Sequence, residues 1–351
     1  MKRIKIAQIG VGHDHAGQMF NTLRNMPDVF DVVGYAIPED DVTDNKWELA
    51  HLENQSRMYQ GARKYTVEEI LSMPDLDAVA IETFDLLLVK YAKMAAERGL
   101  HIHMDKAPGE SAEEFESLLS IIKRKNLAFS IGYMYRFNPF VKQIFNMNKN
   151  GEFGKIHSVD AEMSCFFVKE KRDWLSNFNG GMMQYLGCHL IDIVVRLMGV
   201  PEEIIPTNVS TGYQGTQGKD CSLAVLRYPN GVATVKSVMG DHGGFFRRHI
   251  VVNGEKQSVQ ITPIETHGVN AKFKNPNVSV IRTYKGEQLG EEGEIYRSEV
   301  FDRYEELLLT FAKMIRGERG YEVDLEKEAI VHRCLLSASG IPCDYKKEVV
   351  L

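Results

Sequence analysis

The 351-residue sequence predicts two domains, a doubly wound parallel α/β domain followed by an α+β domain with a large, mostly antiparallel open sheet. In the first part of the chain, short apolar runs alternate with segments of helical periodicity, a pattern typical of parallel strands joined by crossover helices. In the second part, β-type runs separated by Gly, Asn and Pro dominate. We therefore expect domains at residues 1–134 and 135–351.

The first domain begins with an apolar run, residues 4–9, that ends at two closely spaced glycines. Strands are then predicted at residues 30–37, 78–82, 101–104 and 127–133. The intervening helices are predicted at residues 16–24, 67–73, 87–98 and 112–125.

In the second domain, helical periodicity and alternating β patterns are interleaved. Helices are predicted at residues 139–147, 181–198, 299–315 and 325–338. Strands are predicted at residues 156–166, 205–210, 221–228, 233–239, 247–253 and 258–262. Because the large sheet would leave apolar side chains uncovered, we expect a homo-oligomer, a dimer or tetramer, that pairs through it.

The composition is that of a folded globular protein, with 44% hydrophobic and 26% charged residues. The net charge of -6 is spread without a basic run, which argues against a nucleic-acid partner. The five cysteines lack C-x-x-C spacing, which argues against a disulfide framework or a zinc site. The amino-terminal run is too short for a signal peptide or membrane span, so we expect a cytoplasmic protein with no membrane partner.

The turn Gly10-Val11-Gly12-His13-Asp14-His15 carries the first two glycines of a G-x-G-x-x-G fingerprint, with His15 at the third position. Those two glycines permit a tight turn and close backbone approach to a pyrophosphate bound at the following helix N-terminus. Ala16 and Gly17 are candidates for the close packing that the third glycine would give. The turn predicts a Rossmann-type dinucleotide site, with a plain strand-turn-helix as the alternative.

Two further features of this region bear on the ligand. His13 and His15 have no matching Cys or Glu cluster, so no metal site is predicted. The second strand ends Tyr35-Ala36-Ile37-Pro38, and acids follow only at Glu39, Asp40 and Asp41, of which Glu39 or Asp40 is expected to reach the ribose. Because no Arg or Lys lies there to neutralise a 2′-phosphate, NAD is expected rather than NADP.

The segment 101–110, with Asp105-Lys106-Ala107-Pro108, resembles the signature of the glucose-fructose oxidoreductase / inositol dehydrogenase (Gfo/Idh/MocA) family, which carries Glu-Lys-Pro or Asp-Lys-Pro. Residues 132–139 and 180–192 resemble its second-domain entrance and active-site helix. The resemblance implies an NAD-dependent oxidoreductase that transfers a hydride between the cofactor and a secondary alcohol of a sugar, glycoside or cyclitol.

The resemblance also implies roles for three residues. Lys106 is expected to contact the reacting hydroxyl and the nicotinamide ribose, where a positive nicotinamide would lower its pKa from about 10.4. His189 is expected to exchange a proton with the alcohol, a task that suits its unperturbed pKa of about 6.5. Tyr185, four residues earlier on the same predicted helix face, replaces the family's acid. Either Tyr185 positions the sugar, or the proton passes through Lys106 and His189 alone.

The remaining candidates belong to the cofactor and substrate sites. Cofactor contacts are expected from Gly10, Val11, Gly12, His13, His15, Ile37, Glu39, Thr83, Phe84, Asp105 and Lys106. Substrate contacts are expected from Tyr135, Arg136, Trp174, Tyr185 and His189, with domain packing as the alternative for Arg136 and Trp174.

Two other functions remain open at this point. One is a glycoside-processing enzyme that holds NAD tightly and recycles it within each turnover. The other is an NAD-binding sensor without catalysis, suggested by the missing helix acid and the altered signature.

Overall fold

The computed structural model describes residues 2–266, 276–286 and 289–351. Contacts divide the chain into two compact units. The first comprises Met1–Tyr133, Tyr304–His332 and Glu348–Leu351, and the second comprises Met134–Arg303 and Arg333–Lys347. The first change of unit lies beside the predicted boundary, but residues 304–332 group with the first unit and not with the second domain as predicted. The reason is visible at Phe311, whose ring lies 6.1 Å from that of His103 in the first sheet.

A six-stranded parallel sheet forms the centre of the first unit. Its strands are β1 (Ile4–Ile9), β2 (Phe30–Ala36), β3 (Lys64–Tyr65), β4 (Ala78–Ile81), β5 (His101–Met104) and β6 (Phe129–Ile131). They lie in the order β3-β2-β1-β4-β5-β6, the doubly wound order predicted. In such sheets, ligands bind outside the carboxyl ends of the strands where the order reverses, here beside β1 and β4.

Five helices connect these strands. They are α1 (Ala16–Arg24), α2 (Lys46–Ser56), α3 (Val67–Leu71), α4 (Leu88–Arg98) and α5 (Ala112–Lys125). Helix α1 turns its apolar stripe inward, with Met19, Phe20 and Leu23 fully buried. Burying these side chains holds α1, and with it the turn before it, against the sheet.

The second unit contains an eight-stranded sheet. Its strands are β7 (Ile156–Glu162), β8 (Glu203–Val209), β9 (Cys221–Tyr228), β10 (Gly231–Val238), β11 (His249–Gly254), β12 (Ser258–Ile261), β13 (Val280–Tyr284) and β14 (Glu294–Arg297). The order is β14-β13-β12-β11-β7-β10-β9-β8, and every pairing is antiparallel except that of β7 with β10. Alternate residues of β9 are buried, while Leu223 and Arg227 on the other face are exposed. Pairing of two copies through this face stays a prediction.

The other helices are α6 (Pro139–Lys149), α7 (Lys169–Trp174), α8 (Cys188–Met198), α9 (Gly244–Arg247), α10 (Glu305–Ile315) and α11 (Leu325–Ala338). The helix predicted over residues 181–198 is divided, because Met183–Gly187 forms a π-helical turn before α8 begins. Such turns are rare and often lie at functional sites. Within the described residues, no helix combines the length and apolar character needed to cross a bilayer.

Several elements differ from the sequence prediction. Six were not predicted: α2, β3, α7, α9, β13 and β14. The strand predicted over residues 127–133 is reduced to the three residues of β6, and the helix predicted from residue 299 begins at Glu305. Element ends are set by local caps and pairing, which periodicity alone does not resolve.

Candidate functional site

The glycine turn follows β1 and lies against the residues that follow β4. Gly10 has φ +98°, and a Cβ there would lie 2.3 Å from the backbone nitrogen of Thr83. Both facts require glycine at this position, because a side chain would collide with backbone that cannot move away. The first glycine of the predicted fingerprint is therefore needed by the fold itself, independently of any ligand.

The second glycine faces a carboxylate. A Cβ on Gly12 would lie 2.3 Å from Oδ1 of Asp41, a buried residue in the connection between β2 and α2. The backbone N–H groups of Val11 and Gly12 donate to Asp41 Oδ2 at 2.9 and 3.1 Å. The N–H of Phe84 donates to Asp41 Oδ1 at 2.7 Å. Burial raises the pKa of Asp41, and these three hydrogen bonds act against that rise.

The residues predicted to read the ribose lie elsewhere on the same connection. Glu39 is exposed, and Asp40 accepts hydrogen bonds from the Lys90 ammonium and the Tyr91 hydroxyl. Ile37 packs against the small apolar cluster that contains Val11. Asp41 was the acid that sequence reasoning passed over, since nothing in its local pattern distinguishes it from its two acidic neighbours.

His13, His15 and Asp105 form a buried cluster at the carboxyl edge of the first sheet. Nδ1 of His13 and Nδ1 of His15 each lie 3.1 Å from Oδ2 of Asp105. Their nearest nitrogen and oxygen atoms all lie within 4.8 Å of one another, close enough to meet at one metal ion. Sequence reasoning missed the third member because Asp105 is 90 residues from His15. The protein's own hydrogen bonds already engage these groups, and the expectation of no metal stays a prediction.

The charges of this cluster follow from its burial. Burial alone would lower the pKa of His13, but the carboxylates of Asp105 and Asp85 outweigh it and raise that pKa well above 6.5. Burial lowers the pKa of His15, and Asp105 only partly offsets this effect. Burial alone would raise the pKa of Asp105, but His13 and His15 hold it well below 3.8. The cluster is thus a buried ion pair between His13 and Asp105, with His15 donating a further hydrogen bond.

Glu82 lies directly after β4 and is fully buried. Burial and the neighbouring charge of Asp105 raise the pKa of Glu82 well above 4.5. Nε2 of His103 lies 3.8 Å from Glu82 Oε1, and burial lowers the pKa of His103 to about 4. Burial therefore favours the neutral form of both side chains.

The replacement Glu82→Gln is expected to flatten the dependence of stability on pH. The unfolded chain releases the Glu82 proton above about pH 4.5, whereas the folded chain retains it, so wild-type stability falls as pH rises through this range. Release of this one proton from the unfolded chain lowers the unfolding free energy by up to about 1.4 kcal/mol per pH unit. Urea unfolding at pH 5, 6 and 7 measures it, with the exposed Glu68→Gln as control. Parallel stability curves for wild type and Glu82→Gln would contradict the assignment.

Lys106 follows β5 and is 1% exposed. Its backbone N–H donates to Asp105 Oδ1 at 2.6 Å, and its carbonyl accepts a hydrogen bond from Nε2 of His13 at 2.9 Å. Thr83 is also buried, and its hydroxyl donates to the carbonyl of Phe84 at 3.3 Å. The structure thus joins the glycine-turn segment to the signature lysine within one unit.

In the second unit, Tyr185 lies in a π-helical turn that continues into the helix carrying His189. The prediction that they share a face assumed α-helical geometry, but Tyr185 lies in the π turn and His189 in α8. Their rings contact different neighbours: Tyr185 lies 5.3 Å from Trp174, and His189 lies 4.8 Å from Tyr135, edge to face. The shared face and the proposed roles of the two residues stay predictions.

Trp174 is 2% exposed and packs against Phe178 at 4.6 Å. The ammonium of the buried Lys171 lies 3.3 Å from the centre of the Trp174 ring and 4.7 Å from that of Tyr185. This cation–π contact occupies one indole face. Stacking of a sugar on that face would require Lys171 to move.

Tyr135 and Arg136 take part in two buried polar networks of the second unit. The Tyr135 hydroxyl donates to Glu265 and accepts from Arg248 Nη1 at 3.0 Å. Arg136 donates from Nε and Nη2 to both oxygens of Asp192 at 2.8 and 2.7 Å. These contacts favour structural roles for both residues, and their predicted substrate contacts stay predictions.

The residues at the glycine turn fit the pyrophosphate of a dinucleotide. Three N–H groups point at one position beside β1 and β4, and that position already holds an anionic group, the Asp41 carboxylate. Carboxylate and phosphate oxygens accept the same charge-assisted hydrogen bonds. A dinucleotide would therefore be held by Val11, Gly12 and Phe84 once Asp41 no longer binds them.

Comparisons with known proteins agree with the sequence resemblance and the fold. Residues 141–260 match the family model of the GFO/IDH/MocA C-terminal domain. D-xylose 1-dehydrogenase (NADP(+)) 2 of Haloferax volcanii is 26% identical over 172 residues, 47% of this chain and 50% of that protein. Levoglucosan dehydrogenase of Pseudarthrobacter phenanthrenivorans is 24% identical over 210 residues, 50% of this chain and 52% of that protein. The matched segments thus span about half of these two relatives.

A solved structure supports the fold over nearly the whole chain. KijD10, a 3-ketoreductase from Actinomadura kijaniata solved with NADP and TDP-benzene, superposes with a TM-score of 0.73 at 16% identity. The superposition covers 96% of this chain and 97% of KijD10. The predicted fold class, a parallel α/β domain with an α+β domain carrying a large sheet, is confirmed.

Proposed function

We propose that this chain, whose residues 141–260 match the GFO/IDH/MocA C-terminal domain, is a nicotinamide-dependent dehydrogenase of a sugar, glycoside or cyclitol. Names of relatives support the substrate class, since one acts on D-xylose and another on levoglucosan. The observation that carries the proposal is the hydrogen bond of 2.9 Å between His13 Nε2 and the Lys106 carbonyl. It places the segment expected to bind the cofactor beside the lysine expected to bind the alcohol.

We propose that Lys106 and His189 control the hydroxyl proton. A bound dinucleotide would accept or supply the hydride. The Lys106 ammonium would donate a hydrogen bond to the reacting oxygen and stabilise the negative charge that develops there. His189 would take the proton as general base in oxidation and return it in reduction. Tyr185 would orient the substrate through its hydroxyl, since an ordinary phenol is too weakly acidic to replace the family's carboxylate.

We also propose that the cofactor is NAD rather than NADP. NAD is favoured by the acids at residues 39–41 and by the absence of Arg and Lys from residues 35–41. The names of the xylose dehydrogenase and of the KijD10 complex both mention NADP, which supports the opposite choice. The first assay therefore compares the two cofactors directly.

The experiment is a turnover panel. Purified protein is incubated with NAD or NADP and with sugars, glycosides and inositols, and absorbance at 340 nm reports reduction of the cofactor. We expect one chemical class to give turnover, with kcat/KM at least tenfold higher for NAD than for NADP. Reduction of neither cofactor by any member of the panel would refute the dehydrogenase proposal.

Two outcomes would support the alternatives. NAD retained through purification together with substrate conversion, but without net NADH, would indicate a cofactor recycled within each turnover. Tight NAD binding without conversion of any panel member would indicate a sensor. Placement in the cytoplasm remains part of the proposal and is consistent with the five free cysteines.

A further inference from the structure

Asp41 occupies the N–H groups that the proposed function assigns to the cofactor pyrophosphate. Asp41 is 4% exposed, and its carboxylate accepts three hydrogen bonds, from Val11, Gly12 and Phe84, at 2.7 to 3.1 Å. Both carboxylate oxygens are used. The Asp41 carboxylate therefore occupies the N–H groups that could otherwise bind another anion.

The space at Gly12 points to the same conclusion. In a dinucleotide fingerprint, the second glycine lets the ligand approach the backbone closely. Here the side-chain space of Gly12 holds Asp41 Oδ1, and the carboxylate carbon lies 3.0 Å from the position that a Cβ would take. Asp41 thus lies where the ligand would approach.

Asp41 belongs to a short connection that can carry it away. The connection runs from the end of β2 at Ala36 to the start of α2 at Lys46. Asn45 caps α2 by accepting N–H bonds from Trp47 and Glu48, so the helix is fixed independently of Asp41. Val42 beside Asp41 is 74% exposed, so moving it outward uncovers little apolar surface.

Resting on the proposed function, we propose that Asp41 sets the affinity for the dinucleotide by competing with its pyrophosphate for the N–H groups of Val11, Gly12 and Phe84. Both groups are anionic and need the same donors, so they cannot bind together. The cofactor binds when Asp41 leaves, and the apparent dissociation constant includes the free energy of that displacement. Removing the carboxylate removes this competition.

The test is binding of NADH and NADPH to the full chain, measured by isothermal titration calorimetry. Asp41→Ala is expected to lower the Kd of the preferred cofactor at least tenfold, and Asp41→Asn to lower it less, because the amide keeps one acceptor oxygen. The matched control is Asp44→Ala, which removes an equal charge from the same connection. Asp44 is exposed, so the Kd of this variant should stay within twofold of wild type.

Smaller ligands show which part of the dinucleotide competes with Asp41. ADP carries a pyrophosphate and should gain affinity in Asp41→Ala, whereas adenosine lacks one and should not. Without ligand, Asp41→Ala should melt at a lower temperature than wild type, since three buried N–H groups lose their acceptor, and NADH should raise its melting temperature more. If Asp41→Ala does not fold, Asp41→Asn provides the same comparison.

The outcomes separate the two proposals. Dinucleotide binding that is equal or weaker in the folded Asp41 variants would overturn the competition while leaving the proposed function intact. Absence of NADH and NADPH binding in wild type and both variants would overturn both, and Asp41 would then be a permanent cap of the turn.

Discussion

Replacing Lys106 or His189 by alanine is expected to lower kcat with the best panel substrate by about 10²–10⁴-fold, the usual contribution of a positioned proton-transfer group. Lys106 is 1% exposed and lies beside Asp105, so its ammonium would act where few waters compete for the substrate oxygen. His189 is also 1% exposed, with its ring against the edge of Tyr135. Neither loss should be restored by raising the substrate concentration, because the missing interaction belongs to the transition state.

Controls separate chemistry from folding. Lys106→Arg keeps the charge but not the compact ammonium, and His189→Gln keeps a hydrogen-bonding group without a titratable proton. Dinucleotide affinity should change by less than about tenfold in His189→Gln, since the proposed role concerns the alcohol. The pH profile of kcat/KM should lose one limb in the His189 variants. Wild-type kcat in both alanine variants would exclude the proposed roles.

The fold was accessible from the sequence because its signals are local. Short apolar runs that end at glycine, as at β1, define strands, and the alternation with helices defines a parallel sheet. Helix α2 escaped prediction for a physical reason: its two buried residues, Glu48 and Gln55, are polar. Hydrophobic periodicity cannot detect such a helix, although Asn45 was an available capping signal.

The site was only partly accessible. Gly10, Gly12 and Lys106 stand out by motif, but the contact of Asp41 with the glycine turn joins residues about 30 positions apart and depends on a loop conformation. The meeting of His13, His15 and Asp105 has a simpler origin. Parallel strands bring their carboxyl ends to one edge, so residues that follow β1 and β5 become neighbours. The π turn at Met183–Gly187 has no counterpart in apolar spacing, so the sequence did not predict it.

Asp192→Ala is expected to destabilise the protein by about 3–5 kcal/mol, the usual loss when one partner of a buried ion pair is removed. Asp192 lies on α8, three residues after His189, and is fully buried. It accepts hydrogen bonds from Arg136 at 2.7 and 2.8 Å and from Nε of Arg196 at 2.8 Å. Burial alone would raise the pKa of Asp192, but the two arginines outweigh it and lower that pKa below 3.8. Removing the carboxylate leaves two cations without this partner.

A matched control is Asp173→Ala. Asp173 pairs with Lys169 at the i,i+4 spacing that Asp192 shares with Arg196, but the side chains of this pair are 38% and 43% exposed, whereas that of Asp192 is 1% exposed. Exposed pairs contribute about 0–1 kcal/mol, so urea unfolding of Asp173→Ala should nearly match that of wild type. A similarly small loss in Asp192→Ala would show that the arginines find other acceptors.

The pH dependence of the Asp192 effect has a defined sign. Because the folded pKa is lowered, the carboxylate stabilises the protein above the unfolded value of 3.8, and this contribution is lost as pH falls through the folded pKa. The difference in unfolding free energy between wild type and Asp192→Asn should therefore be constant from pH 5 to 7 and shrink in acid.

Arg136 was predicted to contact substrate, and the same Asp192→Asn variant also tests that prediction. If Arg136 serves mainly to hold Asp192, this variant changes stability with little effect on KM, whereas a freed substrate-binding arginine would change KM as well.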